Sequence, residues 1–431
     1  MSANLVLVGL FAILLLMGTP VGVALGLAGA AAIWTGLDPY ALQTIGTTAY
    51  ASIAKYPLIA IPLFVLTGML FERSGVARHL VTFAQAIVGP RRGGLALVAI
   101  LVCLIMGGMS GSGPAEAAAV ATILIPSMTK AGYPKAFSAS VIAAGSSTAI
   151  LIPPSIALIV YSLIVPGMDL RALFAAGIVP GILVGLALMV PIVVISRRRD
   201  FGLGEGTEWP RFWPSLRRAI PGLLAPVIIL GGMRSGLFTP TEAAAVAAFY
   251  GLLVGVFVYR AMDLRAVYKA LADSAETSAV IMIIIALAGI FAWAGSTLGA
   301  FDAAAAGILA ISSDPTVVLL LVMAVLIVAG MVLDGVSIYL ITLPLLFPIA
   351  MDLGWNLTWF GVLMAMNVAI GQFTPPVAVN LMVTARVAGI PIESTVPWVI
   401  WFVLAVVAAL VLVIQFPALA LWLPEAMGYR V

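Results

Sequence analysis

Ile150-Leu151-Ile152-Pro153-Pro154-Ser155 interrupts one apolar run, and 222 residues further on Gln372-Phe373-Thr374-Pro375-Pro376-Val377 interrupts another. Proline lacks a backbone N–H and pushes the residue before it out of helical geometry, so each Pro-Pro pair unwinds its helix. The same shift places Gly113 on Gly335, Pro126 on Pro348 and Gly132 on Gly354, and slightly different shifts carry Thr19-Pro20 onto Thr239-Pro240 and Gly68 onto Gly289. The residues that punctuate helices therefore recur, and the chain reads as two copies of one unit separated by small insertions. The copies occupy residues 1–195 and 219–431, joined by a polar connector at 196–218 that runs from Ser196-Arg197-Arg198-Arg199-Asp200 through Trp209 and Trp213 to Arg218.

Composition says where such units live. Of 431 residues, 63% are hydrophobic and only 9% charged, against about 25% charged in a soluble domain. Apolar runs such as Leu5 to Leu16, Leu58 to Leu70, Ile178 to Ile195, Val280 to Phe291 and Val396 to Leu423 recur along the chain. Most can be extended to the roughly 20 residues that a membrane span needs. The formal charge of +3 is spread over many short loops, which is topology information and not a nucleic-acid footprint. The single cysteine, Cys103, cannot form an internal disulfide and reads as a small core residue. The first twenty residues lack a basic leader, as expected of an uncleaved first helix.

Each unit reads as two spans close together, one span, a hydrophobic hairpin, one span with a Pro-Pro break, and a final span. The hairpins fall at about 94–129 and 315–351, the broken helices at about 136–165 and 357–386. If each hairpin enters and leaves on one side, a unit crosses the membrane five times and the second copy is upside-down. The fold class is thus an all-α polytopic membrane protein with two inverted repeats. With the N-terminus outside, 16 of the 20 Lys and Arg residues fall inside, and only Lys55, Arg171, Arg234 and Arg430 fall outside. The first hairpin then opens to the cytoplasm and the second outward, as alternating access requires. Segments 41–54, 76–90, 261–273 and 300–312 are too mixed to span and suit helices lying along the interface. Trp34, Trp355, Trp359, Trp398 and Trp422 stand near span ends, where indole rings anchor at headgroups.

Backbone that stops being helical inside a membrane is tolerated only where it lines a cavity or meets protein. Four such places occur: the tips Ser110 to Pro114 and Val332 to Ser337, and the breaks around Pro153-Pro154 and Pro375-Pro376. Each creates a helix C-terminus that attracts cations and an N-terminus that attracts anions. Hydroxyls of Ser110, Ser112, Ser146, Ser147, Thr148 and Ser155 gather in the first half; Asp334, Ser337, Asn367, Gln372, Thr374 and Asn380 gather in the second. Ser110, Gly111, Ser112, Gly113, Ser155 and Asn380 are candidates for substrate. Ser110, Ser112, Ser147, Thr148, Asp334, Gly335, Gln372 and Thr374 are candidates for a hard cation such as sodium. The competing reading is that membrane Ser and Thr only bond back to their own helix. Asp334, whose repeat mate is Ser112, has the stronger claim, because an intramembrane carboxylate costs about 2.5–3.5 kcal/mol and needs a reason. Glu116 and Glu242 each open an Ala-rich helix and suit capping roles, while Glu276 can be buried or interfacial.

These residues together resemble the large membrane subunit of tripartite ATP-independent periplasmic (TRAP) transporters. The likeness covers essentially the whole chain. It is carried by Ser110-Gly111-Ser112 with the Ala-rich helix and Pro126, Gly132-Tyr133, Ile152-Pro153-Pro154-Ser155, Gly231-Gly232 through Gly236-Leu237-Phe238-Thr239-Pro240-Thr241-Glu242, Asp334-Gly335, and Gly371 with Thr374-Pro375-Pro376-Val377. The resemblance implies an inner-membrane, sodium-coupled elevator importer of carboxylates. It also implies two partners, a small four-helix membrane subunit on a separate chain and a soluble periplasmic binding protein. Two positions depart from the pattern, with Ala378 and Ala149 standing where glycine is expected.

Rival readings are a stand-alone sodium/dicarboxylate symporter of a related elevator family and, more remotely, an intramembrane serine protease. Gly108-Met109-Ser110-Gly111 fits the protease pattern, but the one histidine, His79, falls in an interfacial segment away from mid-membrane depth. No phosphate loop ending in Gly-Lys-Ser or Gly-Lys-Thr is present, which speaks against a primary pump, and no organic cofactor is implied.

Overall fold

Thr19-Pro20 and Thr239-Pro240 open corresponding helices, and the elements that follow them recur in the same order in both halves. The computed structural model describes residues 2–37, 39–202, 209–312 and 314–431, so residues 203–208 of the connector lie outside the described residues. Among the described residues all regular elements are helical. In the first half α1 (Ala3–Leu16) and α2 (Val21–Gly36) form a close pair. Then α3 (Thr44–Ile53) leads through a 3-10 turn at Tyr56–Ile59 into α4 (Ala60–Arg73), and α5 (Val76–Val88) follows. The first hairpin is α6 (Gly94–Ser110) and α7 (Gly113–Lys130). The first broken helix is α8 (Lys135–Ser146) and α9 (Ile156–Ile164), and α10 (Leu170–Arg198) closes the half.

The second half begins with α11 (Phe212–Arg234), α12 (Pro240–Leu253), α13 (Leu264–Thr297) and α14 (Ala300–Ile311). Its hairpin is α15 (Pro315–Gly330) and α16 (Gly335–Asp352), its broken helix α17 (Leu357–Gly371) and α18 (Val379–Ala388), and α19 (Val396–Gln415) and α20 (Ala418–Ala426) complete the chain. The bounds of α7 shifted by 222 residues are those of α16. The connector is narrower than its composition suggests, because α10 runs to Arg198 and α11 starts at Phe212.

Seven helices among the described residues are long and apolar enough to cross a membrane. The first two are shorter than their runs suggest: α1 has 14 residues and α2 has 16, or roughly 21 and 24 Å at 1.5 Å per residue, against a bilayer core of about 30 Å. The segments read as interfacial also divide. Stretches 44–53, 76–88 and 300–311 are separate helices, but 264–273 is the opening of the 34-residue α13. In the first half Pro57 breaks this junction inside the 3-10 turn, whereas nothing from Asp273 to Val280 stops the helix. An ion pair with Arg73 on α4 shelters the Asp273 carboxylate where α13 passes. The α5 helix buries Val76, Leu80, Val81 and Ala84 against α6 and α11 and leaves Arg78 and Ile87 exposed on its other face.

Two bodies result. Helices α1 to α4 pack with α12 and α13; the hairpins and broken helices pack with one another and with α10 and α19. They meet where α4 lies on α6 and α7 and where α13 lies on α16, each pairing a helix with the hairpin of its own half. At the first contact a Cβ on Gly68 would stand 3.0 Å from the Ser110 carbonyl oxygen, so the hairpin tip reaches α4 only because residue 68 has no side chain. Trp34 and Trp422 are exposed, as headgroup anchors would be, but Trp359 is 8% exposed and donates from Nε1 to the Val413 carbonyl at 3.0 Å. Its indole fastens α17 to α19 in the core, which corrects the anchoring expectation for that residue.

Candidate functional site

At the first tip the chain leaves α6 at Ser110, turns through Gly111 at φ +60°, and starts α7 with Pro114 in its first turn. A side chain on Gly111 would overlap the Pro154 carbonyl oxygen, and one on Gly107 would stand 3.1 Å from the Ala149 Cα. Tip and break therefore touch backbone to backbone. Ser155 caps α9, its Oγ accepting from Leu158 N at 3.4 Å. Ser146, Ser147 and Thr148 are fully buried, and each donates its hydroxyl hydrogen to a carbonyl three residues back, at 3.0, 2.7 and 2.8 Å. That is the back-bonding weighed against a ligand role.

The second half repeats this apposition. A side chain on Gly371 would overlap the Gly330 backbone, and the Met331 carbonyl accepts from Val377 N and Ala378 N, both at 3.2 Å. Asp334 is exposed and serves as the N-cap of α16, Oδ1 accepting from Val336 N at 3.0 Å and Ser337 N at 3.1 Å while Oδ2 accepts from the Ser337 hydroxyl. The structure thus gives this carboxylate a capping occupation. Thr374 turns its hydroxyl back onto the Ile370 carbonyl.

The halves are joined at Gly113. A Cβ there would lie 2.5 Å from Gln372 Oε1 and 2.9 and 3.0 Å from the amide nitrogen and oxygen of Asn380, while a Cβ on Gly335 would lie 3.9 Å from Gln372 Nε2. The Gln372 side chain therefore stands between the two hairpin tips. Asn380 donates from its backbone to the Gln372 carbonyl at 3.0 Å and from Nδ2 to the Ala143 carbonyl at 3.4 Å. Among the described residues, Gln372 Oε1, Asn380 Oδ1 and Asn367 Oδ1 are buried without a hydrogen-bond donor. Such orphaned acceptors are uncommon in folded proteins and are the donor set a hard cation takes.

Of the sequence candidates, Gly113, Gln372 and Asn380 converge, Gly335 lies at the edge of the same cluster, and Gly111 packs on the first break instead. Ser110 and Ser112 flank the first tip, where Ser110 Oγ accepts from Ser112 N at 3.5 Å. The Tyr161–Tyr339 pair went unread. Its rings are 6.0 Å apart edge to face, linking α9 of one half to α16 of the other, and Tyr161 donates to the Leu357 carbonyl at 2.6 Å. A phenol inside an otherwise apolar segment was the available signal. Glu242 forms a full capping box with Thr239, but Glu116 does not cap: it is 1% exposed and lies against the Cys103 thiol. Glu276 is exposed, and His79 stacks on Tyr259 at 4.3 Å.

Residues 8–419 match the family described as Tripartite ATP-independent periplasmic transporter, DctM component. The chain belongs to the DctM family. Being a transporter permease in this family, it is not an enzyme, and Ser110 is a tip residue and not a nucleophile. It is 40% identical over 405 residues to the C4-dicarboxylate TRAP transporter large permease of Pseudomonas aeruginosa, covering 94% of each chain. It is 35% identical to the 2,3-diketo-L-gulonate TRAP transporter large permease of Escherichia coli, covering 94% of each, and 35% identical to the sialic acid TRAP transporter large permease of Vibrio cholerae, covering 96% of this chain and 97% of that one. The crystal structure of the Alcanivorax borkumensis YdaH transporter shares the fold, with a TM-score of 0.64 at 16% identity over 88% of this chain and 90% of that one.

The DctM fold gives a physical reason for the glycine expected at residue 378. Ala378 sits at φ +49° where break 2 enters α18, a conformation that costs a residue with a Cβ about 1–2 kcal/mol. Part of that gain is offset by glycine's greater freedom in the unfolded chain. Ala378→Gly is therefore expected to stabilise the folded protein by up to about 1 kcal/mol, read as a higher thermal unfolding midpoint in detergent with uptake retained.

Proposed function

We propose that this DctM component is the large permease of a sodium-coupled, binding-protein-dependent importer that carries a small carboxylate across the bacterial inner membrane. The observation that carries the reading is the cluster at Gly113, where buried, donorless oxygens of Gln372 and Asn380 meet the start of α7. Oxygen ligands suit sodium, and the helix N-termini at both tips and both breaks suit a carboxylate. The relatives' named substrates, C4-dicarboxylate, 2,3-diketo-L-gulonate and sialic acid, are organic acids and support that class.

In this reading the body built from hairpins and broken helices slides as an elevator against α1 to α4, α12 and α13, with the N-terminus periplasmic and the connector cytoplasmic. A soluble binding protein delivers substrate, and a small four-helix subunit enlarges the stationary body. The likeness to the isethionate TRAP transporter permease DctMQ of Oleidesulfovibrio alaskensis, over 97% of this chain and 66% of that one, supports the small-subunit partner.

The test is uptake of labelled carboxylates into proteoliposomes holding this chain and the small subunit. Uptake is expected only when an inward sodium gradient and the binding protein are both supplied. Sodium-driven uptake that ignores the binding protein would favour the stand-alone symporter, and uptake indifferent to sodium would refute the coupling.

A further inference from the structure

The C-terminal end of α10 and the start of α19 enclose a groove of about 690 Å³ on the outer face of the hairpin-bearing body. This is within the roughly 300–1,000 Å³ typical of small-ligand sites. Its walls are apolar and turned outward: Val190 is 61% exposed, Trp401 54% and Leu404 53%. Its head, at the connector end, is formed by Arg198 and Arg199.

Two features separate this groove from an ordinary lipid-facing surface. Neither arginine is ion-paired among the described residues, because the neighbouring acid, Asp200, pairs with Arg92 at 3.0 Å. The arginine end is also held in place. The Arg199 guanidinium lies 5.9 Å over the Trp398 ring, and that ring is fixed by Phe137 at 5.4 Å and Phe201 at 6.0 Å. Basic residues in a last helical turn are accounted for by the helix dipole, but a dipole does not call for an aromatic shelf or an apolar trough beneath it.

We propose that this groove binds an anionic phospholipid, with Arg198 and Arg199 on its phosphate and its acyl chains along Val190, Val194, Trp401 and Leu404. Guanidinium forks match phosphate oxygens, indole rings settle at headgroup depth, and basic pockets between spans select anionic headgroups. The lipid belongs to the leaflet on the connector side and rides on the body that carries the hairpins.

The experiment uses the full chain in nanodiscs of mixed phosphatidylglycerol and phosphatidylethanolamine, followed by mild delipidation and native mass spectrometry of what stays bound. Wild type is expected to retain phosphatidylglycerol in preference. The Arg198→Ala/Arg199→Ala double variant is expected to lose about thirtyfold of that preference, roughly fivefold per arginine, while Arg217→Ala/Arg218→Ala on α11 keeps it. Phosphatidylglycerol with brominated chains is expected to quench tryptophan fluorescence in wild type, and less so in Trp401→Phe. Absence of any preference, or equal loss in both double variants, would overturn the proposal. Displacement of the bound lipid by the small membrane subunit would overturn it as well, making the groove a protein interface.

Discussion

Gly111→Ala is expected to lower uptake by about a hundredfold or more, because misplacing reacting or binding groups by about 1 Å costs that much. Two causes add. Residue 111 sits at φ +60°, and its Cβ would overlap the Pro154 carbonyl, which is backbone and cannot swing away. The first hairpin tip must then withdraw from the first break, at a cost on the order of 3 kcal/mol from overpacking and left-handed strain combined. Gly371→Ala is expected to act likewise at the other tip, where its Cβ would meet the Gly330 backbone. Gly46→Ala is the control, since nothing lies within 4 Å of its built Cβ. Uptake is measured together with monodispersity in detergent, so that a chain that fails to fold is told apart from one that folds and does not transport. Near-wild-type uptake by Gly111→Ala would mean that tip and break are not apposed in the working protein.

The second large effect is expected at Gln372. Its Oε1 faces Gly113 and its Nε2 faces Gly335, so one amide addresses both hairpins. Gln372→Leu keeps the volume and removes the oxygen. Losing a buried polar partner costs about 1–3 kcal/mol, which at about 1.4 kcal/mol per tenfold means a rise of roughly ten- to a hundredfold in the sodium concentration for half-maximal uptake. Gln372→Glu retains an oxygen at the same place and is expected to keep sodium dependence. A fall in maximal rate with the sodium midpoint unmoved would mark Gln372 as a packing residue and remove it from the ion site.

Much of the architecture was legible because helix breakers announce themselves. Proline and glycine at residues 113, 126, 132, 153 and 154 recur 222 positions later, and each marks a place where a backbone must turn or unwind. The tips and breaks were legible as candidate sites for the same reason. What the sequence does not carry is the partner across the halves. The repeat shift pairs Gly113 with Gly335, yet in space Gly113 meets Gln372 and Asn380, a contact between copies that no periodicity encodes. Residue type also misleads where two uses share one signature. Gly113-Pro114-Ala115-Glu116 and Thr239-Pro240-Thr241-Glu242 look alike, but Thr239 closes a capping box with Glu242, while Ser112 makes no side-chain cap and Glu116 is buried. Ser147, Thr148 and Thr374 each donate the hydroxyl hydrogen to their own helix, which leaves the oxygen lone pairs open to the cation role read from the sequence. Helix-terminal Trp359 looked interfacial until its indole was seen bonded to α19.

The central claim is that the two tips serve one site from opposite sides of the membrane, and thiol accessibility tests it most directly. The native Cys103 is fully buried and gives a silent background. Ser112→Cys on the first tip and Val332→Cys on the second would be exposed to a membrane-impermeant thiol reagent added to either face of oriented vesicles, with and without sodium and substrate. The account predicts labelling of residue 112 only from the connector face and of residue 332 only from the opposite face, with both rates shifting when sodium and substrate are added. Labelling of both tips from the same face would contradict it.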